Sequence, residues 1–213
     1  MAEDGFEITE TANYMLAVAR SEAGRRGGRP VGAGVLALGF AAVAQRLDPL
    51  HRLVPVLAGL GVDAAGLRDA LERAHGAIDT SGLPPSDCCI LDGMLPDEVR
   101  AIPFGPDARK VMGFAAEESR RLGHVGRSLL LLAPWHILLG LIRAGDEGIL
   151  PSFPHGADLE LGRAREAVRE AASGREDRPV LSESPHAADG KFIYHIAWEC
   201  QRGEMSLEDF LAA

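Results

Sequence analysis

Ala108-Arg109-Lys110-Val111-Met112-Gly113-Phe114-Ala115-Ala116-Glu117-Glu118-Ser119-Arg120-Arg121-Leu122-Gly123 restates a stretch written near the start of the chain. Ala12, Met15, Leu16, Ala19, Glu22, Arg25 and Gly27 answer Ala108, Val111, Met112, Ala115, Glu118, Arg121 and Gly123 at one constant offset. Further on, Gly39-Phe40 answers Gly140-Leu141, and Gly61-Val62-Asp63 answers Gly156-Ala157-Asp158. Apolar residues three and four apart mark a helix in both copies. A duplication fixes architecture before any local motif does. Two like helical units, each with an apolar face to cover, pack on one another, and the seam between them is where function is sought.

Bulk composition narrows the classes. A chain of 213 residues is one moderate domain or two small packed halves. With 46% hydrophobic and 25% charged residues it reads as an ordinary globular protein. A formal net charge of −9 argues against a nucleic-acid surface, which needs a basic stripe. No apolar run approaches the roughly 18 residues of a membrane span, and Met1-Ala2-Glu3-Asp4 does not open a secretion signal. The expectation is a cytoplasmic protein without membrane or nucleic-acid partners. Three cysteines, an odd number, do not make a disulfide framework.

The first unit, residues 1–76, opens at Ile8-Thr9, where Thr9 caps a helix and Ile8 takes the staple position. Gly27-Gly28 ends that helix. Apolar segments follow at about 35–47 and 50–60, with Pro55 as a kink or a first-turn residue, and Asp63 caps a fourth helix. Residues 77–101 are a turn-rich connection holding Cys88-Cys89. The second unit, residues 102–173, begins its first helix at Pro106, its second near Pro134 and its last after Asp158. Two departures mark it as remodelled. Five extra residues lie between His124 and Ala133, and Leu150-Pro151-Ser152-Phe153-Pro154-His155 stands where the third helix belongs. Residues 174–213 read as a polar linker followed by an amphipathic helix carrying Phe192, Ile193, Ile196, Ala197 and Cys200.

These residues resemble the N-terminal repeat domain of Clp-type AAA+ unfoldases. Ile102-Pro103-Phe104-Gly105-Pro106-Asp107-Ala108-Arg109-Lys110-Val111 is similar to that family's Ile-Pro-Phe-Thr-Pro-x-Ala-Lys-x-Val. Glu117-Glu118-Ser119-Arg120-Arg121-Leu122-Gly123-His124 is similar to its Glu-Glu-Ala-x-x-Leu-Gly-His. His136-Ile137-Leu138-Leu139-Gly140-Leu141-Ile142-Arg143-Ala144-Gly145 is similar to its His-Leu-Leu-Leu-Gly-Leu-Ile-Arg-Glu-Gly. Leu60-Gly61-Val62-Asp63 with Leu67-Arg68 resembles the opening of its last repeat helix. The resemblance implies an all-α fold of two four-helix repeats related by a pseudo-twofold axis, here with a C-terminal helical extension. It also implies capture of peptides, adaptors or marked substrates for an attached ATPase and protease. No Gly-x-x-x-x-Gly-Lys-[Ser/Thr] phosphate loop occurs in this sequence, and Gly24 to Gly34 lacks the lysine.

The family writes Gly-Thr-Glu-His at the start of each repeat's second helix, where in some members the glutamate receives a cationic or phosphoarginine-type ligand. Here those stretches are Gly32-Ala33-Gly34-Val35 and Ala133-Pro134-Trp135-His136, so Gly34 and Trp135 replace both glutamates. Each lost charge-assisted hydrogen bond removes about 1.5–3 kcal/mol. The expected ligand is therefore a hydrophobic peptide, an adaptor protein or a small molecule rather than phosphoarginine, with Clp machinery as a further partner. Candidate ligand-binding residues are Trp135, His136, Phe104, Ile8 and Phe153. His136 is the one catalytic candidate, set against a plain helix-start histidine bonding nearby backbone, and Phe104 and Ile8 against core staples. Cys88-Cys89 read as incidental thiols, and the scattered histidines offer neither a metal site nor a cofactor site. The reading leans away from an enzyme. The alternative is small-molecule chemistry on the recruited scaffold, with His136 as acid/base.

Overall fold

The computed structural model describes residues 6–47, 51–81, 95–123, 130–154 and 159–173. Glu10 to Arg25 form α1, because Ala12, Met15, Leu16, Ala19 and Ala23 make one continuous apolar stripe and Thr9 accepts from the Ala12 N–H at its start. Ala33–Ala44 (α2) is apolar all round and sits in the core. Leu53–Gly59 (α3) carries Pro55 in its first turn, where no intrahelical N–H is lost. Ala64–His75 (α4) starts under the Asp63 carboxylate, which accepts from the Ala65 and Gly66 N–H groups at 3.2 and 2.9 Å. A short helix, Asp97–Arg100 (α5), lies within the connection and packs on α1.

The second repeat supplies Pro106–Leu122 (α6), Pro134–Asp146 (α7) and Leu161–Ser173 (α8). Gly123 ends α6 in the left-handed region at φ 70°, which only glycine enters without strain. The expected four helices are three here among the described residues. Residues 147–154 run as turns in place of a third helix, because Pro151 and Pro154 deny consecutive helical hydrogen bonds. The C-terminal extension at 174–213, Cys88 and Cys89 lie outside the described residues.

The duplication is visible at atomic detail. A Cβ on Gly39 would lie 2.9 Å from the Met15 carbonyl and 3.1 Å from both the amide N and Cβ of Ala19. On Gly140 it would lie 2.5 Å from the Val111 carbonyl, with the amide N and Cβ of Ala115 at 3.0 and 3.2 Å. The same three atoms of sequence-equivalent residues thus bracket each glycine. In both repeats the first and second helices cross backbone to backbone.

One feature departs from a purely helical fold. Phe6–Ile8 (β1) pairs in parallel with Leu130–Leu132 (β2), with Ile8 opposite Leu132. Its mate in the duplication is the isolated parallel bridge between Val31 and Phe104. Thr9 donates to the Leu132 carbonyl at 3.0 Å, and Gly105 donates to the Val31 carbonyl at 2.8 Å. Each repeat's entry to its first helix is therefore hydrogen-bonded to the other repeat's entry to its second helix. These crossed pairs, together with one buried cluster drawn from both halves, hold the repeats as one body.

Candidate functional site

The starts of α2 and α7 lie at the seam, because Gly34 and Trp135 each follow the cross-repeat pairs by three residues, after Val31 and Leu132. Neither N-cap residue has a side chain to satisfy the first-turn donors. At α2 the Asp107 carboxylate of α6 crosses the seam and accepts the Ala33 N–H at 2.8 Å. At α7 the equivalent residue is Pro134, which has no N–H to satisfy.

The position of the first missing glutamate is filled. A Cβ on Gly34 would fall 2.6 Å from Nδ1 of His75, so the imidazole lies flat against the glycine. Its Nε2 is hydrogen-bonded to Oγ of Ser152 at 2.5 Å, a link from α4 of the first repeat to the remodelled turn of the second. Arg26 donates to the His75 carbonyl at 2.5 Å and to the Gly76 carbonyl at 3.1 Å. Burial pushes the His75 imidazole below its ordinary pKa, and the neighbouring Arg26 charge adds to the effect.

The second position carries an indole. Trp135 is half-buried, while His136 beside it is fully buried. The Ala133 N–H donates to His136 Nδ1 at 3.0 Å, the reciprocal half of a capping box. A neutral imidazole accepts at one nitrogen only, so its proton sits on Nε2. Trp135 Nε1 is also a donor, so its 3.2 Å approach to Nε2 is the edge contact of a T-shaped ring pair, with centroids 5.8 Å apart.

The other sequence candidates lie deeper. Phe104 is 2% exposed with the Arg20 guanidinium 4.9 Å from its ring centre, and Phe153 is 1% exposed. Ile8 is half-buried at the end of β1. The structure thus leaves Trp135 and Ile8 reachable from solvent and closes Phe104, Phe153 and His136 into the core. Sequence reading missed His75, Ser152 and Asp107. One signal was present: a helix start written Gly-Ala-Gly with no capping side chain needs its donors satisfied from elsewhere.

Each repeat also buries a carboxylate at equivalent positions. Glu22 receives Arg25 Nε and Arg26 Nε at 2.8 and 2.5 Å. Burial works to raise its pKa, but the hydrogen bonds and charges of the two arginines outweigh that and leave it lowered. Glu118 instead receives a two-pronged pair from Arg165 of α8, at 2.7 and 2.6 Å. Among the described residues no three His, Cys, Asp or Glu side chains gather to hold a metal. None of the described helices is long and apolar enough to cross a membrane.

Sequence comparisons find Clp proteins that are similar to this chain. The chain is 28% identical over 179 residues to the chaperone protein ClpB of Oceanobacillus iheyensis, covering 80% of this chain and 18% of that protein. It is 29% identical over 171 residues to the negative regulator of genetic competence ClpC/MecB of Bacillus subtilis, covering 79% of this chain and 17% of that one. A ClpA homolog from Guillardia theta is 29% identical over 161 residues, 76% of this chain and 16% of that protein. The chain thus spans under one-fifth of the length of these relatives. Among solved structures, the N-terminal domain of ClpD from Arabidopsis thaliana covers 78% of this chain and 94% of its own, at 21% identity and a TM-score of 0.44. No protein-family profile matches the chain.

Proposed function

We propose that this chain is a Clp N-domain-like binding module without ATPase activity of its own, capturing a hydrophobic peptide, adaptor or small molecule at the inter-repeat seam. The observation that carries the reading is the pair of seam positions at Gly34 and Trp135. One is filled by the His75 ring and the other presents a half-buried indole. Neither offers a carboxylate to a guanidinium, and an indole edge suits an apolar ligand. Such a module acts as an adaptor to Clp machinery, as a decoy that spares it, or as a sequestrant of a compound aimed at it. The enzymatic alternative needs a solvent path to His136, and that ring is 0% exposed.

A fluorescein-labelled peptide rich in Phe and Leu, read by anisotropy, tests the assignment. The expected result is saturable binding that Trp135→Ala weakens tenfold or more while the circular dichroism spectrum is unchanged. A phosphoarginine in the peptide adds no affinity. Affinity untouched by Trp135→Ala sinks the proposal.

A further inference from the structure

Ser152 and His75 stand 77 residues apart in the sequence and belong to different repeats, yet Oγ and Nε2 lie 2.5 Å apart. A serine hydroxyl at such a separation can pass its proton to an imidazole. Both side chains are half-buried, unlike His136, which is closed into the core. Each is held in place by residues outside the pair. Ser152 rides on a turn anchored by the buried Leu150 and Phe153 and closed by the Phe153 N–H, which donates to the Leu150 carbonyl at 3.0 Å. Pro151 and Pro154 fix φ at two further positions of that turn.

His75 is the last residue of α4, anchored one turn back by the fully buried Leu71. Arg26 donates to the carbonyls of His75 and Gly76, and the buried Glu22 in turn holds Arg26 through its Nε. The missing side chain at Gly34 admits the ring, since a Cβ there would meet Nδ1 at 2.6 Å. Burial and the Arg26 charge depress the imidazole pKa, so at neutral pH the ring is in the form that accepts a proton. A nucleophile within reach of a base, with the base oriented by a third group, is the arrangement that covalent acyl transfer requires.

We propose that Ser152 is a nucleophile activated by His75, and that the pair cleaves small activated carboxylic esters. Oγ attacks the acyl carbon as its proton passes to Nε2. The tetrahedral adduct collapses, the bond to the leaving oxygen breaks, and that oxygen takes the proton from Nε2. Ser152 is left acylated. Water, deprotonated by the same nitrogen, then releases the acid and restores the hydroxyl.

The full chain is treated with a fluorophosphonate, whose phosphorus bonds to the serine oxygen as fluoride leaves, and the adduct is mapped by mass spectrometry. The expected adduct is on Ser152. His75→Gln slows labelling by about 100-fold or more, and Ser152→Ala abolishes it. Ser81→Ala, at an exposed serine that donates to Asp79, leaves it unchanged. Nitrophenolate release from p-nitrophenyl acetate follows the same pattern. Nitrogen chemical shifts place the His75 proton on Nδ1, the tautomer in which Ser152 donates to Nε2. Wild-type protein left unlabelled at Ser152 overturns the inference, whatever the variants do. So does an undiminished rate in folded His75→Gln, or a His75 proton on Nε2, which makes the serine an acceptor and the pair a structural tie. None of these readouts depends on peptide capture at Trp135.

Discussion

Replacing Gly140 by alanine adds one methyl group where α6 and α7 meet backbone to backbone. The new Cβ would fall 2.5 Å from the Val111 carbonyl and 3.0 Å from the Ala115 amide N. Both are backbone atoms of a buried helix, so relief requires moving the helix rather than turning a side chain. Overpacking of this kind costs about 1–3 kcal/mol, against about 0.5–1 kcal/mol recovered by removing a glycine from a helix interior. The net loss is up to about 2.5 kcal/mol, which lowers the melting temperature by up to roughly 10 °C for a domain of this size. Gly39→Ala, with its nearest atom at 2.9 Å, follows in the same direction with a smaller drop. Gly113→Ala is the control: it meets nothing within 4 Å, so it keeps the helix-propensity gain and raises the melting temperature. Calorimetry on the three variants reads all of this. A Gly140→Ala protein as stable as Gly113→Ala would refute the close crossing and, with it, the structural equivalence of the repeats.

Other perturbations probe the polar ties. Arg165→Met strands the fully buried Glu118 carboxylate and destabilises by about 3–5 kcal/mol in chemical denaturation; Glu118→Gln added to it recovers most of that loss. Asp107→Ala removes the cap on Ala33 and costs about 0.5–2 kcal/mol. Because the folded-state pKa of His75 is depressed, the unfolded chain binds more protons just below the ordinary histidine pKa of about 6.5. Its stabilising contribution is therefore complete above that pH and is lost as pH falls through the folded value. His75→Gln flattens the stability profile on the acid side of the ordinary histidine pKa of about 6.5; a profile identical to the wild type's removes His75 from the account.

Much of the architecture was legible because it repeats. Met15 with Val111, Ala19 with Ala115 and Gly39 with Gly140 were paired by spacing alone, and each pair makes the same contact in space. Caps such as Thr9 and Asp63 were readable because their partners lie within three residues. What sequence could not reach was long-range. Leu130 to Leu132 read as an apolar insertion, since a three-residue strand is defined by its partner at Phe6 to Ile8, far back in the chain. Asp107 sits in the first turn of its own helix α6, yet it caps a helix of the other repeat. His75 and Ser152 meet only because Gly34 leaves room for an imidazole. Of the candidate ligand residues, aromatic character was readable and depth was not. Phe104, Phe153 and Trp135 differ in exposure through the elements packed over them.

Amide chemical-shift mapping of the full chain with the Phe- and Leu-rich peptide bears most directly on recognition between the repeats. The account predicts that the largest perturbations gather at Ile8 and Thr9, Leu132 to His136, and the flanking Val31 to Val35, drawing on both repeats at once. Perturbations confined to one repeat, or to the outer face of α6, would contradict it.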